Sequence, residues 1–256
     1  MTDSLDIDKA IVEYRSKGPN EVIEWALAAF GDKIAICTSF QAEGMVILDI
    51  VHSIQPDVKV FTIDTGRLPQ ETHDLIDKVR EKYHIQVDVH HPDPDELRQF
   101  VTKHGINPFY ESVSLRLRCC EIRKSHTLDK ALVDFDAWIT GLRRSQSRAR
   151  GAVEKIETDV AHNGMIKINP LADWSHEQVW QYIESHDVPQ NELYNQGYTS
   201  IGCVPCTRPI KSGEDVRAGR WWWEKGVPKE CGIHMNPAWV KAVAEDLNAV
   251  KETNDS

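Results

Sequence analysis

The residues of this 256-residue chain best suited to chemistry are its six cysteines: Cys37, the vicinal pair Cys119-Cys120, Cys203 and Cys206 in C-V-P-C, and Cys231 in E-C-G-I-H. A chain this long buries enough apolar surface to fold without disulfide staples, so cysteines grouped in sequence read as ligands or nucleophiles. Thiolates from Cys119, Cys120, Cys203 and Cys206 suit one soft metal centre, with Cys-x-x-Cys supplying two ligands from a single turn. Structural zinc ordinarily uses two Cys-x-x-Cys knuckles, so the adjacent pair favours an iron–sulfur cluster over zinc or a reversible disulfide, which remain the alternatives. Cys231 stands outside both pairs, in a polar segment with Gly232 beside it and His234 close by; a cation there favours the thiolate, which is the nucleophile. Cys37, within the apolar run KIAIC, reads as a core residue.

Positive charge collects beside the same positions. Arg116–Lys124 carries a net +3, Arg143–Arg150 a net +4 and Arg208–Arg220 a net +2, within a chain of 30 basic and 40 acidic residues and net charge −10. The acidic total argues against nonspecific nucleic-acid binding. Three local basic runs, each next to a candidate ligand or nucleophile, instead predict a pocket for a polyanion. Two loops rich in small polar residues fit such a pocket: Thr38–Gly44 (TSFQAEG), with Thr38 and Ser39, and the turn Asp64-Thr65-Gly66-Arg67. A loop feeding a helix offers backbone N–H groups to an anion, although each loop could equally be an ordinary connection or cap. There is no G-x-x-x-x-G-K-[ST], which disfavours a Walker-type NTPase. Trp221–Trp223 read as a packed anchor rather than a base-stacking platform, and His90-His91 as loop residues.

The elements that must position these groups follow from apolar periodicity. The pattern predicts a helix over 11–30, strands at 33–37, 58–63, 85–89 and 137–140, and helices near 45–54, 69–83 and 95–104. A helical pattern runs from the basic segment to Leu132, Asn163-Gly164 predicts a hairpin between 155–161 and 165–168, and Ser175 with Gln178 forms a capping box for a helix through His186. Strand–helix alternation predicts an α/β fold with a parallel sheet covered by helices on both faces. Residues 1–195 read as the nucleotide-binding unit, and 196–256 as an irregular C-terminal segment that completes the same site. No membrane span or secretory signal is evident, which predicts a cytoplasmic protein.

Taken together, TSFQAEG, IDTGR, R-C-C-E-I-R-K, ITGLRRSQS, G-C-V-P-C and E-C-G-I-H resemble the thioredoxin-dependent assimilatory adenylyl-sulfate (APS) reductases, the iron–sulfur branch of a family shared with phosphoadenylyl-sulfate (PAPS) reductases. The resemblance covers residues 33–235 and implies an adenine-nucleotide hydrolase-like (Rossmann-like) fold. By that resemblance Cys119, Cys120, Cys203 and Cys206 would hold a 4Fe-4S cluster, with Lys124 between it and the substrate's sulfate. Ser39, Asp64, Thr65 and Gly66 would hold adenosine and phosphate, Arg150, Arg217, Arg220 and His234 would lie near the anionic groups, and Cys231 would be the nucleophile. The implied reaction is reduction of APS to sulfite and AMP through an S-sulfocysteine on Cys231. Only 25 residues follow Cys231, which predicts that the reductant is a separate protein, thioredoxin or a glutaredoxin-like one. Self-association is a further implication. The alternatives are a PAPS or dual-specificity reductase, an ATP-using adenylyltransferase of the same fold class, and a zinc-stabilised nucleotide-binding module with Cys231 incidental.

Overall fold

A computed structural model describes residues 5–227, 229–230 and 233, so Cys231 and His234 lie outside the described residues. Chain order is α1 (Ile7–Tyr14), α2 (Pro19–Phe30), β1 (Ile34–Cys37), α3 (Ala42–Ile54), β2 (Lys59–Ile63), α4 (Gln70–Tyr83), β3 (Asp88–His90), α5 (Pro94–His104), α6 (Val113–Cys120), α7 (His126–Ala131), β4 (Ala137–Ile139), β5 (Ile156–Asp159), β6 (Met165–Ile168) and α8 (His176–Ser185). The six strands form one sheet in the order β3-β2-β1-β4-β6-β5. All neighbours are parallel except β5 and β6. This is the α/β architecture expected, with an antiparallel edge strand added by the Asn-Gly hairpin.

Side-chain alternation divides the strands between two cores, as the two-residue period of a strand requires. Ile34, Ile36, Val60, Ile139 and Ile168 face one layer, built with α2, α3, α4 and α8. Ala35, Phe61 and Trp138 face the other, against Leu128 and Ala131 of α7. Both faces being covered explains why these strands read as continuous apolar runs.

Several predicted boundaries shift. The helix expected over 11–30 is two helices, because Pro19 cannot continue α1 and instead starts α2 behind the extended Gly18. The third strand begins at Asp88 and includes His90, which had read as a loop residue; its ladder to β2 pairs Phe61 with Asp88 and Ile63 with His90. Strand β5 stops at Asp159, whose carboxylate caps the Ala161 N–H at 3.1 Å and turns the chain before Asn163. The helix after the cysteine pair widens at Glu121–Ser125 into a π-helical turn, which carries Arg123 and Lys124. Ser175 accepts from Gln178 N at 3.2 Å while Gln178 Oε1 accepts from Ser175 N at 2.8 Å, the capping box expected. Among the described residues no helix is long and apolar enough to cross a membrane.

Candidate active site

The chain leaves β1 outward through β2 and β3, then crosses back to β4 on the other side. Ligand clefts in open α/β sheets form where strand order reverses in this way, beyond the carboxyl ends of the strands. A cavity of about 430 Å³ lies there, lined from the loops after β1, β2 and β4 and from residues 199–220. Its size is that of a small-ligand site.

The first loop is held tightly. Thr38 N donates to Phe61 O and Thr38 Oγ1 accepts from Phe40 N, each at 3.0 Å, with Phe40 buried in a left-handed conformation (φ 54°). A Cβ on Gly44 would collide with Thr38 Oγ1, and one on Gly141 would meet Glu43 Cβ at 3.0 Å and Gly44 N at 3.2 Å. Glycine at these two positions lets the loops after β1 and β4 close on each other. The protein itself caps the start of α3: Tyr194 Oη accepts from Ala42 N at 2.9 Å, and Gln41 Oε1 accepts from Ile201 N at 2.8 Å, tying the C-terminal segment to the loop. Ser39 lines the cavity, its hydroxyl accepting from Gln41 Nε2 at 3.0 Å.

Of the second turn, Thr65 lines the cavity; Asp64 and Gly66 do not. Asp64 Oδ1 accepts from Gly66 N at 2.8 Å and its Oδ2 lies 3.1 Å from His73 Nε2, so this carboxylate shapes the turn, and Gly66 supplies the positive φ of 69° the turn requires. Thr65 Oγ1 lies 3.2 Å from Cys203 Sγ, and Thr65 O accepts from Arg123 Nη1 at 2.6 Å. The turn therefore bridges toward the cysteines.

Cys119, Cys120, Cys203 and Cys206 converge from α6 and the C-V-P-C turn on a small cavity of about 20 Å³, walled also by Arg67, Arg116, Arg123, Lys124, Phe109 and Trp221. No disulfide joins them. Burial pushes Cys119 up against the opposing pull of Arg123, and pushes Cys206 up to about 12 with the help of Cys203. A bound metal reverses that preference, because it is itself the counter-charge. Arg123 Nε and Trp221 Nε1 are buried with no hydrogen-bond partner. Unsatisfied donors of this kind cost about 1–3 kcal/mol each, and a sulfide-bearing group at this cavity would supply acceptors. Four soft donors, four cations and orphaned N–H groups fit an anionic metal–sulfur group, although among the described residues no set of three or more His, Cys, Asp or Glu is drawn together as around one ion. Trp221 is fully buried, with the guanidinium carbons of Arg116 and Arg220 4.6 and 4.8 Å from its ring, so it is the packed anchor expected.

The three basic runs do not converge whole. Lys124, Arg143, Arg150, Arg217 and Arg220 line the large cavity. Elsewhere, Arg118 pairs with Glu96 and Glu121, Arg144 with Glu154 and Arg208 with Glu214. Even the cavity arginines carry carboxylate partners that the sequence did not disclose. Arg143 donates from Nε and Nη2 to Glu43 Oε1 at 2.9 and 2.7 Å. Arg150 and Arg217 both reach Glu230 Oε2, at 2.8 and 3.4 Å. Burial raises the Glu230 carboxyl, but Arg150 and Arg217 outweigh it and hold it below the usual carboxylate value. Gly202 leaves room for the Arg220 guanidinium, which donates to Ser200 Oγ at 3.1 Å. Cys37 is half-buried on the cavity wall rather than deep in the core, and desolvation pushes its thiol up to about 12, an inert form.

Residues 33–209 match the family model described as "Phosphoadenosine phosphosulfate reductase domain". The chain is 50% identical over 203 residues to a protein of Allochromatium vinosum named adenosine 5'-phosphosulfate reductase, covering 79% of each chain. It is 47% identical over 218 residues to one of the same name from Burkholderia cepacia, covering 84% of this chain and 87% of that one. Among solved structures, phosphoadenylyl-sulfate (PAPS) reductase from Candida auris, in a phosphate complex, superposes with a TM-score of 0.68 at 31% identity, over 81% of this chain and 100% of that one. Candida glabrata FMN adenylyltransferase, at 16% identity and TM-score 0.54 over 95% of this chain and 85% of that one, shares the fold alone.

Proposed function

The chain belongs to the phosphoadenosine phosphosulfate reductase family, and from that premise we propose that it reduces adenylyl sulfate (APS) to sulfite and AMP in sulfate assimilation. It is an oxidoreductase acting on a sulfur group. The observation that carries the reading is that the nucleotide-sized cavity and the four-cysteine cavity share two wall residues, Lys124 and Cys203. Anionic sulfate chemistry and a thiolate-bound centre thus meet at one boundary.

Ser39 and Thr65 hold the adenosine and phosphate portions, with Asp64 and Gly66 setting the turn behind them. Lys124, Arg150, Arg217, Arg220 and His234 face the phosphosulfate. The Cys231 thiolate attacks the sulfur of APS, the S–O bond to AMP breaks, and Cys231 carries an S-sulfo group. A thiol of thioredoxin, or of a glutaredoxin-like protein, then attacks Cys231 Sγ and releases sulfite. Its second thiol closes a disulfide, which accounts for the two electrons taken up by sulfur. An anionic nucleophile approaching a sulfate is repelled, so the lysine and arginines act by compensating charge that gathers in the transition state. Cys119, Cys120, Cys203 and Cys206 would hold a 4Fe-4S cluster; when bound it would supply a fixed anchor and a local field for the segment that carries Lys124. We read residues 1–195 as the nucleotide-binding unit and 196–256 as the segment completing its site, in a cytoplasmic protein that self-associates. Light scattering tests the last point.

Mass spectrometry after incubation with APS tests the nucleophile: Cys231→Ser retains AMP binding and the visible spectrum but forms no S-sulfo adduct. Full sulfite release by that variant overturns the assignment. Iron and acid-labile sulfide in anaerobically purified protein test the cluster, and a colourless zinc protein refutes it. The Candida auris relative keeps PAPS as the second substrate reading, and the four cysteines, which PAPS-specific members typically lack, favour APS. Sulfite release from both nucleotides at matched concentration separates them, APS being turned over faster.

A further inference from the structure

Glu230 carries no role in the sequence reading, yet it touches the walls of both cavities. Its side chain is 7% exposed. Oε2 accepts from Arg150 Nη2 and Arg217 Nη2, and Oε1 accepts from Ser147 Oγ at 2.7 Å. Its main-chain carbonyl accepts from Arg116 Nη1 at 3.2 Å. Arg150 and Arg217 line the large cavity, and Arg116 lines the cysteine cavity. Arg217 also donates to Lys229 O, at 2.6 Å from Nη2, so two consecutive residues are held from one guanidinium. The residue bonded to Glu230 on its other side is Cys231.

A buried carboxylate facing two arginines is an expensive way to fix a chain, because both signs of charge lose their water and recover it only through close pairing. An apolar contact would anchor residue 230 at lower cost. The carboxylate does something an apolar contact cannot: it withdraws part of the positive charge that Arg150 and Arg217 present to an anion, while fixing where the chain leads into residue 231. We propose that Glu230 is a positioning residue for the reaction, fixing the chain immediately before Cys231 against the walls of the two cavities and tempering the grip of Arg150 and Arg217 on the nucleotide. This rests on the reading of Cys231 as the nucleophile. The two roles predict opposite signs for binding and turnover, which a merely structural clamp does not.

The test uses the full-length, cluster-containing protein with two variants, Glu230→Gln and Glu230→Asp, measuring AMP affinity and single-turnover S-sulfo adduct formation at saturating APS. Glu230→Gln keeps shape and the Ser147 contact but removes the charge; AMP binds about 3- to 10-fold tighter and adduct formation slows about 10-fold or more. Glu230→Asp keeps the charge with a shorter reach; AMP affinity stays within about twofold and the adduct rate falls between the other two. Should the Gln variant fail to accumulate, the Asp variant and Ser147→Ala carry the same test, each slowing the adduct step without tightening AMP. Adduct formation at the wild-type rate in Glu230→Gln overturns the inference, as does a parallel loss of AMP affinity and rate. If the wild-type protein forms no adduct on Cys231, the nucleophile reading fails and takes this inference with it; if it does, the Glu230 variants judge the inference alone.

Discussion

The two cavities share Lys124 and Cys203 but differ in how far their charge is matched. In the large one, arginines are already matched to protein carboxylates: Arg143 to Glu43, and Arg150 and Arg217 to Glu230. In the small one, Arg116 is matched in the same way, to Glu224, but Arg123 and Arg67 stand with four cysteines on a described wall that holds no carboxylate, and two of its N–H donors lack partners. Those pairs hold the arginines of the first in fixed directions. The second offers buried donors that an anionic group would satisfy. An arginine-rich sequence is therefore a poor measure of the charge a substrate meets, because pairing decides it.

The largest effect expected is at the small cavity. Cys206 lines it and not the large one, so Cys206→Ala removes the visible chromophore and lowers sulfite release by about 100-fold or more, judged against the 10–100-fold typical of outer-shell changes at metal sites. AMP affinity, read by calorimetry, changes far less. An equal loss of AMP binding would merge the two cavities into one functional unit and break the comparison.

Next comes Arg116, whose Nε and Nη2 grip Glu224 at 2.9 and 2.8 Å with both side chains almost wholly buried. Arg116→Met strands a buried carboxylate and costs about 3–5 kcal/mol in urea unfolding. Replacing both, as Arg116→Met with Glu224→Leu, restores much of that loss, because no uncompensated charge remains. If the double variant is as unstable as the single, the pair contributes more than mutual neutralisation.

A smaller effect sharpens the other side. Gly141→Ala pushes a methyl against Glu43 and the backbone at Gly44, costing about 1–3 kcal/mol and weakening AMP binding with the visible spectrum unchanged. The smallest is a pH effect. The Glu230 carboxyl is held below its ordinary value of 4.5, so its stabilisation is fully present above that value and is lost as pH falls through the lower folded-state value. The melting-temperature gap between wild type and Glu230→Gln should be constant near neutrality, begin to narrow only as pH falls below 4.5, and close once pH has passed through the lower folded-state value. A gap that persists in acid would mean the carboxylate acts through packing rather than charge.

Much of the fold was legible because its signals are local. The short apolar runs KIAIC and VKVFTI, the Asn163-Gly164 turn and the Ser175–Gln178 box each act over a few residues. The break at Gly18-Pro19 was missed: apolar periodicity ran through it to predict one helix over 11–30, although proline at 19 is the local mark of a new first turn. The π-helical turn after Cys120 was not legible, because a wider turn leaves no composition signature. The site divided in the same way. The cysteine pairs, Ser39, Thr65, Lys124, Arg150, Arg217 and Arg220 were legible as types and spacings, and the structure puts each of them on a cavity wall. The different work of Asp64 and Gly66, and the engagement of Glu43 and Glu230, was not.

By itself, then, the sequence determined the strand–helix order, the loops that end at the carboxyl edge of the sheet, and the donor chemistry of four cysteines, since covalent neighbours and residue types dictate these. Tertiary structure alone decided which arginine meets which carboxylate. Glu43 and Arg143 are 100 residues apart, and Arg116 and Glu224 are 108. An ion pair depends on distance and lost solvent, and both quantities exist only once the chain has folded.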